Sequence, residues 1–427
     1  MEKENIIIVE PLSTGLNYIH DIRELGYNPI ALEIYQPEEK KERLRALHDH
    51  AYAGLYKEPP EVLLADKDYE KTLEMVRKLK PLAIIPGVDE GIILATKLAH
   101  DLGLPGNNPK NLNKMIDKHC MQETLKKANL RYIKSRMINT LDEAMEFASE
   151  LNKHYVVIKP AVGKASMGVC ICKNEEEIEY AMKFNEDIKF DITSNEGMHL
   201  AIQEYIGGEE YVIDTACCKG HNRVVNAYHY KKFLAEGRGA VYDYMEAIDD
   251  SDPHFKELVE YNEKVITALE LEYGVVHGEY KIDEYGPVLI EMNCRVAGPS
   301  QRYYLMDIAW GEHTTALSLE SYLNPEECIK KVNKPIKIHS HYLIKVIILH
   351  EEIYAIKSNL DEGLKDLESY QYSIPWGDDR VYPITVDLDT CGGIVFLTNK
   401  DKDKLFEDLE EIKRREEFEI DKLFVIK

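Results

Sequence analysis

The sequence has no excess of basic residues, and this absence excludes one broad class of function. Its 427 residues include 53 lysines and arginines against 77 aspartates and glutamates, which gives a formal net charge of −24. A protein that binds nucleic acid needs a basic surface to displace counterions from the phosphate backbone. We therefore expect no nucleic-acid partner, and any phosphate group must be held locally by a few lysines and metal ions.

Long apolar segments are absent too. The amino terminus, MEKENIIIVE, carries only a short apolar run, unlike a signal peptide. The longest apolar candidate, YLIKVIILH at Tyr342–His350, has the length of a strand, whereas a membrane span needs roughly 18 apolar residues. The eight cysteines show neither zinc spacing nor a disulfide framework. We expect a cytoplasmic protein with no membrane partner, whose cysteines are reduced and mostly buried.

Strand and helix patterns alternate at the start of the chain, as in βαβ units. IIIVE and PIALEIY are predicted strands, and Ser13 or Thr14 can cap a helix between them that ends at Gly26. The GxGxxG motif is missing, so a dinucleotide site is not supported. Turn signals at LGLPGNNP and near Asn324 divide the chain. The predicted units are an α/β domain at 1–108, a core at 109–325 and an α+β domain at 326–427.

Three segments of the core receive a local prediction. KMIDKHCMQETLKKAN is predicted as one helix, and LAIQEYIGGEEYVIDT as two strands joined by a glycine turn. The stretch that follows is interpreted as a polar loop region in which substrate contacts are expected. Its candidate residues are His229, Tyr230, Arg238, Tyr242 and Tyr244, and Arg238 could pair with a substrate carboxylate.

The segment VVIKPAVGKASMGVCIC places Lys159 at the end of an apolar strand, followed by a short loop with Gly163 and Gly168. Such a loop lets backbone N–H groups approach phosphate oxygens. It is not a Walker loop, because the GxxxxGK[ST] spacing is absent, and the kinase motifs HRD, DFG and APE are absent as well. The loop is either a surface turn or a phosphate-binding loop, and metal ligands downstream would favour the second interpretation.

Candidate metal ligands occur in VVHGEYKIDEYGPVLIEMNCR, which is predicted as a β-hairpin. A three-residue turn, Glu284 to Gly286, would pair Asp283 with Pro287, Glu279 with Glu291, and His277 with Asn293. Directly opposed side chains stand about 4.5–5.5 Å apart at Cβ, where two carboxylates repel each other unless a cation separates them. Mg²⁺ fits such oxygen ligands. The alternative is a polar hairpin face in solvent.

The order of these motifs along the chain resembles that of the ATP-grasp carboxylate–amine ligases. The matching stretches are IDKHCM, GKASMG, IQEYIGGEEYVID, HGEYKID and LIEMNCRVAG. The resemblance implies an ATP-grasp fold, α/β and α+β multidomain, with a Rossmann-like amino-terminal domain, a lid subdomain at about 119–205 and a carboxy-terminal α+β region. One departure is Val296 to Ser300, where a glycine pair often follows the arginine. Within the superfamily the chain looks most similar to ligases of L-amino acids.

The resemblance also implies roles for single residues. Lys118 and Lys159 would hold ATP phosphates, beneath a lid loop formed by Gly163, Lys164, Ser166 and Gly168. Gln203, Glu204 and Ile206 would meet adenine, and Glu210 the ribose. Glu279, Glu291 and Asn293 would hold two Mg²⁺ ions, for which Mn²⁺ can substitute. The implied catalytic residues are Arg295, which steadies an acyl phosphate, and Lys159. Arg238 is added to them from its place in the predicted substrate region, not from the resemblance.

The implied reaction is ATP-dependent formation of an amide or peptide bond between small molecules, with release of ADP and phosphate. Rival interpretations are a ligase acting on another small acid or on a carrier-bound acyl group, and a nucleotide-binding regulator without catalysis. The complete set Glu279, Glu291, Asn293 and Arg295 argues against the regulator. A homodimer is compatible with the sequence.

Overall fold

The computed structural model describes residues 3–35, 58–151, 155–163, 168–187, 199–234, 240–388 and 390–427. The strands of these residues are, in chain order, β1 (Asn5–Val9), β2 (Asn28–Glu33), β3 (Glu61–Leu64), β4 (Ala83–Pro86), β5 (Ser135–Ile138), β6 (Val156–Pro160), β7 (Cys170–Cys172), β8 (Leu200–Glu204), β9 (Glu209–Cys218), β10 (His221–Leu234), β11 (Ala240–Ile248), β12 (Tyr273–Asp283), β13 (Gly286–Asn293), β14 (His341–Ile347), β15 (Ile353–Ser358), β16 (Tyr370–Pro375), β17 (Arg380–Tyr382), β18 (Gly393–Asn399) and β19 (Phe424–Ile426).

The α-helices of the same residues are α1 (Asn17–Glu24), α2 (Tyr69–Leu79), α3 (Ile92–Asp101), α4 (Leu112–Ile116), α5 (Lys118–Lys127), α6 (Leu141–Glu150), α7 (Glu175–Asp187), α8 (Phe255–Leu269), α9 (Tyr303–Trp310), α10 (Thr314–Leu323), α11 (Pro325–Lys330), α12 (Leu360–Leu364), α13 (Lys402–Phe418) and α14 (Ile420–Leu423). Within the described part of the chain, every helix is too short or too polar to cross a lipid bilayer.

The amino-terminal strands form a parallel sheet in the order β3-β2-β1-β4, here called the N-terminal sheet. The predicted βαβ pattern is confirmed, and Gly26 ends the first helical segment with a φ of +85°. Ser13 and Thr14 do not cap this helix as expected. Their hydroxyls instead accept hydrogen bonds from the backbone N–H groups of Ser300 and Gln301, at 2.8 and 3.0 Å. The turn after β1 is thereby tied to the segment after β13.

Two antiparallel sheets face each other in the middle of the molecule. The small sheet has the order β5-β8-β6-β7, and the large sheet has the order β13-β12-β9-β10-β11-β14-β18-β16. Helix α8 packs on the large sheet through a stripe of fully buried residues, Leu258, Val265, Ile266 and Leu269. Carboxy-terminal strands extend the large sheet, and β17-β15-β19 form a further sheet. The exact domain boundaries stay predictions.

The segment LAIQEYIGGEEYVIDT is not the paired turn that the sequence indicated. Its first strand, β8, belongs to the small sheet and its second strand, β9, to the large sheet. Gly208 has a φ of +87°, and a Cβ there would lie 2.0 Å from the carbonyl oxygen of Ile282. Residues 205–208 are therefore a tight crossover between two sheets, and glycine is required because the backbone of β12 lies against it.

The helix predicted over KMIDKHCMQETLKKAN is also interrupted. Asp117 adopts an extended backbone, with φ −103° and ψ 113°, and its side chain accepts a hydrogen bond from the N–H of Cys120 at 2.8 Å. Lys118 is thus the first residue of α5. The same helix is fixed to the hairpin by Gln122, whose amide donates to the Leu289 carbonyl at 2.9 Å.

Two further expectations are wrong. The stretch from Tyr228 to Ala247 is not a loop region: its described residues belong to β10 and β11, which pair in the centre of the large sheet. Val225 in β10 and Asp243 in β11 are bulged residues, and both interrupt the alternation of side chains from which strands are recognised in a sequence. Cysteine usage differs as well, because Cys218 and Cys328 form a disulfide, while the other cysteines are free.

Candidate active site

A cavity of about 820 Å³ lies where the small sheet, the large sheet and the loops of the N-terminal sheet meet. Ligand sites of open α/β sheets form at the carboxyl ends of the strands, and the turns after β1 and β4 occupy that position here. The cavity walls include most of the described residues predicted for the site: Lys118, Lys159, Gly163, Gly168, Gln203, Glu204, Ile206, Glu210, Glu279, Glu291 and Arg295.

The hairpin formed by β12 and β13 has the predicted pairing at its functional end. Glu279 lies opposite Glu291, and His277 lies opposite Asn293. The predicted turn is wrong, because Asp283 pairs with Gly286 and the turn contains two residues. A bulge in β13 adds one residue, Ile290, and restores the register. Because of this bulge, Ile290 lines the cavity together with Glu291, whereas strict alternation places it on the other face.

Glu291 is held by cationic and amide groups. Its Oε2 lies 2.9 Å from the ammonium of Lys118, and its Oε1 accepts a hydrogen bond from Asn293 Nδ2 at 2.9 Å. Burial opposes ionisation, but Lys118 and Lys159 outweigh burial and lower the pKa of Glu291 to about 2. The carboxyl group is therefore a fixed anion at neutral pH.

Behind Glu279 lies a buried histidine with two acidic neighbours. His277 Nδ1 is 2.7 Å from the fully buried Asp214, and His277 Nε2 is 3.4 Å from Glu279. Burial disfavours the imidazolium, but Asp214 and Glu279 outweigh burial and raise the pKa of His277 to about 9. The pair thus supports the Glu279 carboxylate from behind, in the manner of the outer shell around metal ligands.

The side chain of Lys159 is buried, yet its ammonium forms no hydrogen bond or ion pair with another described residue. Burial first, and then the neighbouring Lys118, lower the pKa of Lys159 to about 8, against the attraction of Glu291, Glu279 and Glu210. Lys118 donates to the Gly163 carbonyl at 2.8 Å. Both lysines therefore lie where the predicted phosphate loop begins. Lys164 and Ser166 of that loop lie outside the described residues.

The crossover between the sheets carries the residues predicted to meet a nucleoside. Gln203 and Glu204 end β8, and a side-chain oxygen of Glu204 accepts the Lys134 N–H at 3.0 Å. Glu210 is buried and ion-paired with Lys232, while Lys281 is its neighbour in the adjacent strand. Lys232 was not singled out from the sequence, because β10 was not recognised as a strand.

Arg295 lies at the other side of the hairpin's end and contacts a residue that sequence reasoning missed. Its Nε and Nη2 both donate to Asp89 Oδ2, at 3.0 and 2.9 Å. Asp89 follows β4 and is 206 positions away in the chain, so no local pattern links the two residues. Burial opposes the charge of Arg295, but Asp89, Glu291 and Glu279 outweigh it and raise the arginine's pKa.

The substrate residues predicted from the sequence are divided by the structure. Tyr230 and Tyr242 line the cavity. His229 instead stacks on Tyr211, and Tyr244 packs near Phe406. Arg238 lies outside the described residues. Apolar wall residues that were missed are Met245, Trp376, Leu388 and Ile394.

The donor set at the hairpin fits a hard divalent cation. Among the residues that the structure describes, no cluster of three or more histidine, cysteine, aspartate or glutamate side chains exists that could hold a metal alone. Two opposed carboxylates and one amide do exist, in Glu279, Glu291 and Asn293. Mg²⁺ is commonly held by one or two carboxylates together with substrate phosphates. The few protein ligands at the hairpin are therefore enough for this ion when a nucleotide is bound.

Comparison with known proteins agrees with this geometry. A model of the ATP-grasp domain matches residues 152–301. Dapdiamide A synthase of Enterobacter agglomerans is 25% identical over 343 residues, which are 79% of this chain and 78% of that protein. The phosphoribosylamine–glycine ligase of Methanopyrus kandleri is 31% identical over 192 residues, or 41% of each chain.

The fold is likewise found among solved structures. The L-amino acid ligase from Bacillus licheniformis superposes with a TM-score of 0.73 at 15% identity, covering 97% of this chain and 98% of that one. A carboxyaminoimidazole ribonucleotide synthase solved with ATP superposes with a TM-score of 0.69. The domain match and the relative that aligns with most of the chain thus support an ATP-grasp carboxylate–amine ligase.

Proposed function

We propose that the protein joins the carboxylate of one amino acid to the amine of a second amino acid, with ATP converted to ADP and phosphate. The observation that carries this proposal is the convergence of two opposed carboxylates, Glu279 and Glu291, with two buried lysines, Lys118 and Lys159, on one cavity. A nucleoside triphosphate with its magnesium complements both pairs at once. The names of two relatives, dapdiamide A synthase and an L-amino acid ligase, support amino acids as the substrate class.

In this proposal the crossover binds the nucleoside and the lysines bind its phosphates. Gln203, Glu204 and Ile206 border the adenine, and Glu210 accepts from the ribose hydroxyls. Lys159 has no ionic partner among the described residues, so a phosphate oxygen gives its buried charge the partner that it lacks. The loop from Gly163 to Gly168 is proposed to cover the phosphates.

The hairpin is the metal-binding half of the site. Glu279, Glu291 and Asn293 would hold magnesium, and the bound ion would neutralise the charge that develops on the transferred phosphoryl group. We extend the proposal to two magnesium ions and to replacement by manganese. His277 holds Glu279 through Nε2, while Asp214 holds His277 from the other side.

The part of the cavity near Arg295 is where we propose that acyl transfer takes place. The substrate carboxylate attacks the γ-phosphate in line and displaces ADP, which gives an acyl phosphate. The amine then attacks the acyl carbon, loses a proton and displaces phosphate. The protein contributes position and charge, because both steps need aligned reactants rather than covalent help from a side chain. Arg295 lies where it can stabilise the acyl phosphate, and Arg238 is proposed to pair with a substrate carboxylate. Closure over the cavity would exclude water from this hydrolysable intermediate.

The same cavity has an apolar wall, which suits a hydrophobic substrate group. Met245 and Ile394 are buried in the large sheet, and Trp376 and Leu388 come from the carboxy-terminal region. Burial of one such side chain contributes roughly 1.5–3 kcal/mol, so we propose that at least one substrate amino acid has an apolar side chain.

The test is ADP release in the presence of ATP, magnesium and pairs of amino acids. We expect release to require two substrates and to be stimulated by at least one pair with an apolar member. Glu291→Ala should abolish release while the protein stays folded, and Glu410→Ala, an exposed glutamate on α13, serves as the control. Substrate-independent ADP binding without turnover in any pair would refute the ligase assignment. Light scattering of the purified protein tests the predicted homodimer.

A further inference from the structure

The contact between Asp89 and Arg295 joins two parts of the molecule that the reaction must bring together. Arg295 follows the metal-binding hairpin, whereas Asp89 belongs to the loop after β4 of the N-terminal sheet. One carboxylate oxygen, Oδ2, accepts from both Nε and Nη2, at 3.0 and 2.9 Å. Two donors on one side of a planar guanidinium fix the orientation of its plane as well as its position.

Asp89 is itself mounted on a rigid loop. The loop begins with Gly87, whose N–H donates to the Val9 carbonyl at 2.7 Å. A Cβ on Gly87 would lie 2.3 Å from the Glu10 carbonyl oxygen, and a Cβ on Gly91 would lie 2.4 Å from that of Val9. Both glycines therefore allow the loop to press against the end of β1, and Asp89 is placed between two points of close backbone contact.

The remaining amino group of Arg295 is available for a substrate. Nη1 is buried and has no hydrogen-bond partner among the described residues. A buried donor without a partner is unfavourable, and an oxygen of a bound ligand would satisfy it. Both Asp89 and Arg295 line the cavity, and Asp89 retains 27% side-chain exposure.

We propose that Asp89 is a positioning residue that holds the guanidinium of Arg295 so that Nη1 faces the acyl phosphate. The proposal rests on the proposed function, since it assigns a role within that reaction. Asp89 would act through Arg295 and not through the nucleotide phosphates, which the proposed function assigns to Lys118 and Lys159. Its loss should therefore lower the rate of acyl transfer without weakening the binding of the nucleotide.

The experiment measures formation of amino acyl hydroxamate from ATP, magnesium, hydroxylamine and a mixture of the common L-amino acids. Hydroxylamine replaces the amine substrate, so the assay does not require its identity. We expect Asp89→Asn to lower kcat about 10- to 100-fold, as misplacement of a reacting partner does. The KM for ATP and the affinity for MgADP by calorimetry should stay unchanged. Asp89→Glu keeps the charge and should recover part of the lost activity.

A double-mutant cycle separates positioning from an independent role. In an Arg295→Ala background, Asp89→Asn should cause no further loss of hydroxamate, because the group that it positions is absent. Asp366→Asn is the matched control, because Asp366 is likewise the partially exposed partner of a buried arginine, Arg415, and does not line the cavity. This control should retain wild-type activity.

The outcomes that would overturn the inference are specific. Wild-type kcat in Asp89→Asn, losses that multiply in the double variant, or a loss of MgADP affinity or thermal stability that accounts for the lost rate would each refute positioning. An active wild type with an unaffected Asp89→Asn variant refutes only this inference. A wild type that forms no hydroxamate refutes the proposed function, and the inference with it.

Discussion

The small sheet and the large sheet contribute opposite kinds of charge to the same cavity. The small sheet supplies Lys159, a buried cation without an ionic partner among the described residues, whose pKa is lowered to about 8. The large sheet supplies Glu291, a carboxylate with close partners, whose pKa is lowered to about 2. Burial destabilises both charged forms, but only the glutamate is compensated by its neighbours.

This difference indicates how the two halves of the site would work. The carboxylate face is preorganised, because Lys118, Asn293 and the His277–Asp214 pair hold its residues in place before a ligand arrives. The lysine face is incomplete until an anion binds. Binding of a nucleotide should therefore stabilise the small sheet more than the large sheet, and each half can be disrupted separately.

Removal of both carboxylates should give the largest effect. Replacement of Glu279 and Glu291 by glutamine keeps the shape of the cavity but removes the charge that a divalent cation requires. We expect ADP release to fall by at least about a thousandfold. Nucleotide binding, measured by calorimetry with and without magnesium, should lose its dependence on magnesium. A double variant that still binds ADP more tightly with magnesium than without it would contradict the assignment.

Disruption of the lysine face should have a smaller effect and act on affinity. Lys159→Met keeps the apolar stem of the side chain and removes the ammonium. We expect the affinity for MgADP to fall about 10- to 100-fold, the value of one or two charge-assisted hydrogen bonds. Lys183→Met, on the exposed side of α7, is the matched control in the same part of the molecule. Equal affinity for MgADP in the Lys159 variant and in the control would contradict phosphate binding by Lys159.

The pH dependence of nucleotide binding also distinguishes the lysine face from the carboxylate face. Lys159 carries its charge below a pKa of about 8 and loses it as the pH rises through that value. A bound phosphate favours the charged form, so nucleotide affinity should be constant below that pKa and should fall by up to about tenfold near pH 9. Calorimetry across this range measures the fall, which should be absent in Lys159→Met. A variant with the same pH dependence as the wild type would exclude Lys159 as its origin.

The smallest expected effect belongs to Glu210. Its carboxylate already pairs with Lys232. A hydrogen bond from a ribose hydroxyl to this carboxylate would therefore add only a little to the affinity for the nucleotide. Glu210→Gln should weaken ATP binding about three- to tenfold, or ~0.5–1.5 kcal/mol. If Glu210 accepts from the ribose, replacement of ATP by 2′-deoxy-ATP should reduce this difference. Equal weakening for both nucleotides would place the effect in the ion pair with Lys232 instead.

Much of the candidate site could be predicted because its chemistry repeats with the period of a strand. Alternation placed Glu279 and Glu291 on facing strands, and the structure pairs them. That agreement depends on two errors that cancel, since the turn is one residue shorter than predicted and the bulge at Ile290 adds one residue. A bulge depends on tertiary packing, so the sequence alone does not reveal it.

The rest of the site depends on contacts between distant segments. LAIQEYIGGEEYVIDT contains two correctly predicted strands, but a local pattern cannot show that they enter different sheets. His221 to Leu234 was missed as a strand because a bulge at Val225 and several charged residues break its alternation. Asp89 was missed because its partner, Arg295, is 206 residues away. Single-sequence patterns therefore identify ligands on one hairpin more readily than the residues that orient them.

The central claim is that the two sheets close on one nucleotide, with its metal on the large sheet. A crystal structure with ADP and Mn²⁺, with data collected at the manganese absorption edge, tests it most directly. The account predicts an anomalous peak about 2.0–2.3 Å from carboxylate oxygens of Glu279 and Glu291, with the ADP phosphates between that peak and Lys159. A nucleotide bound elsewhere, or manganese with no contact to either glutamate, would contradict it.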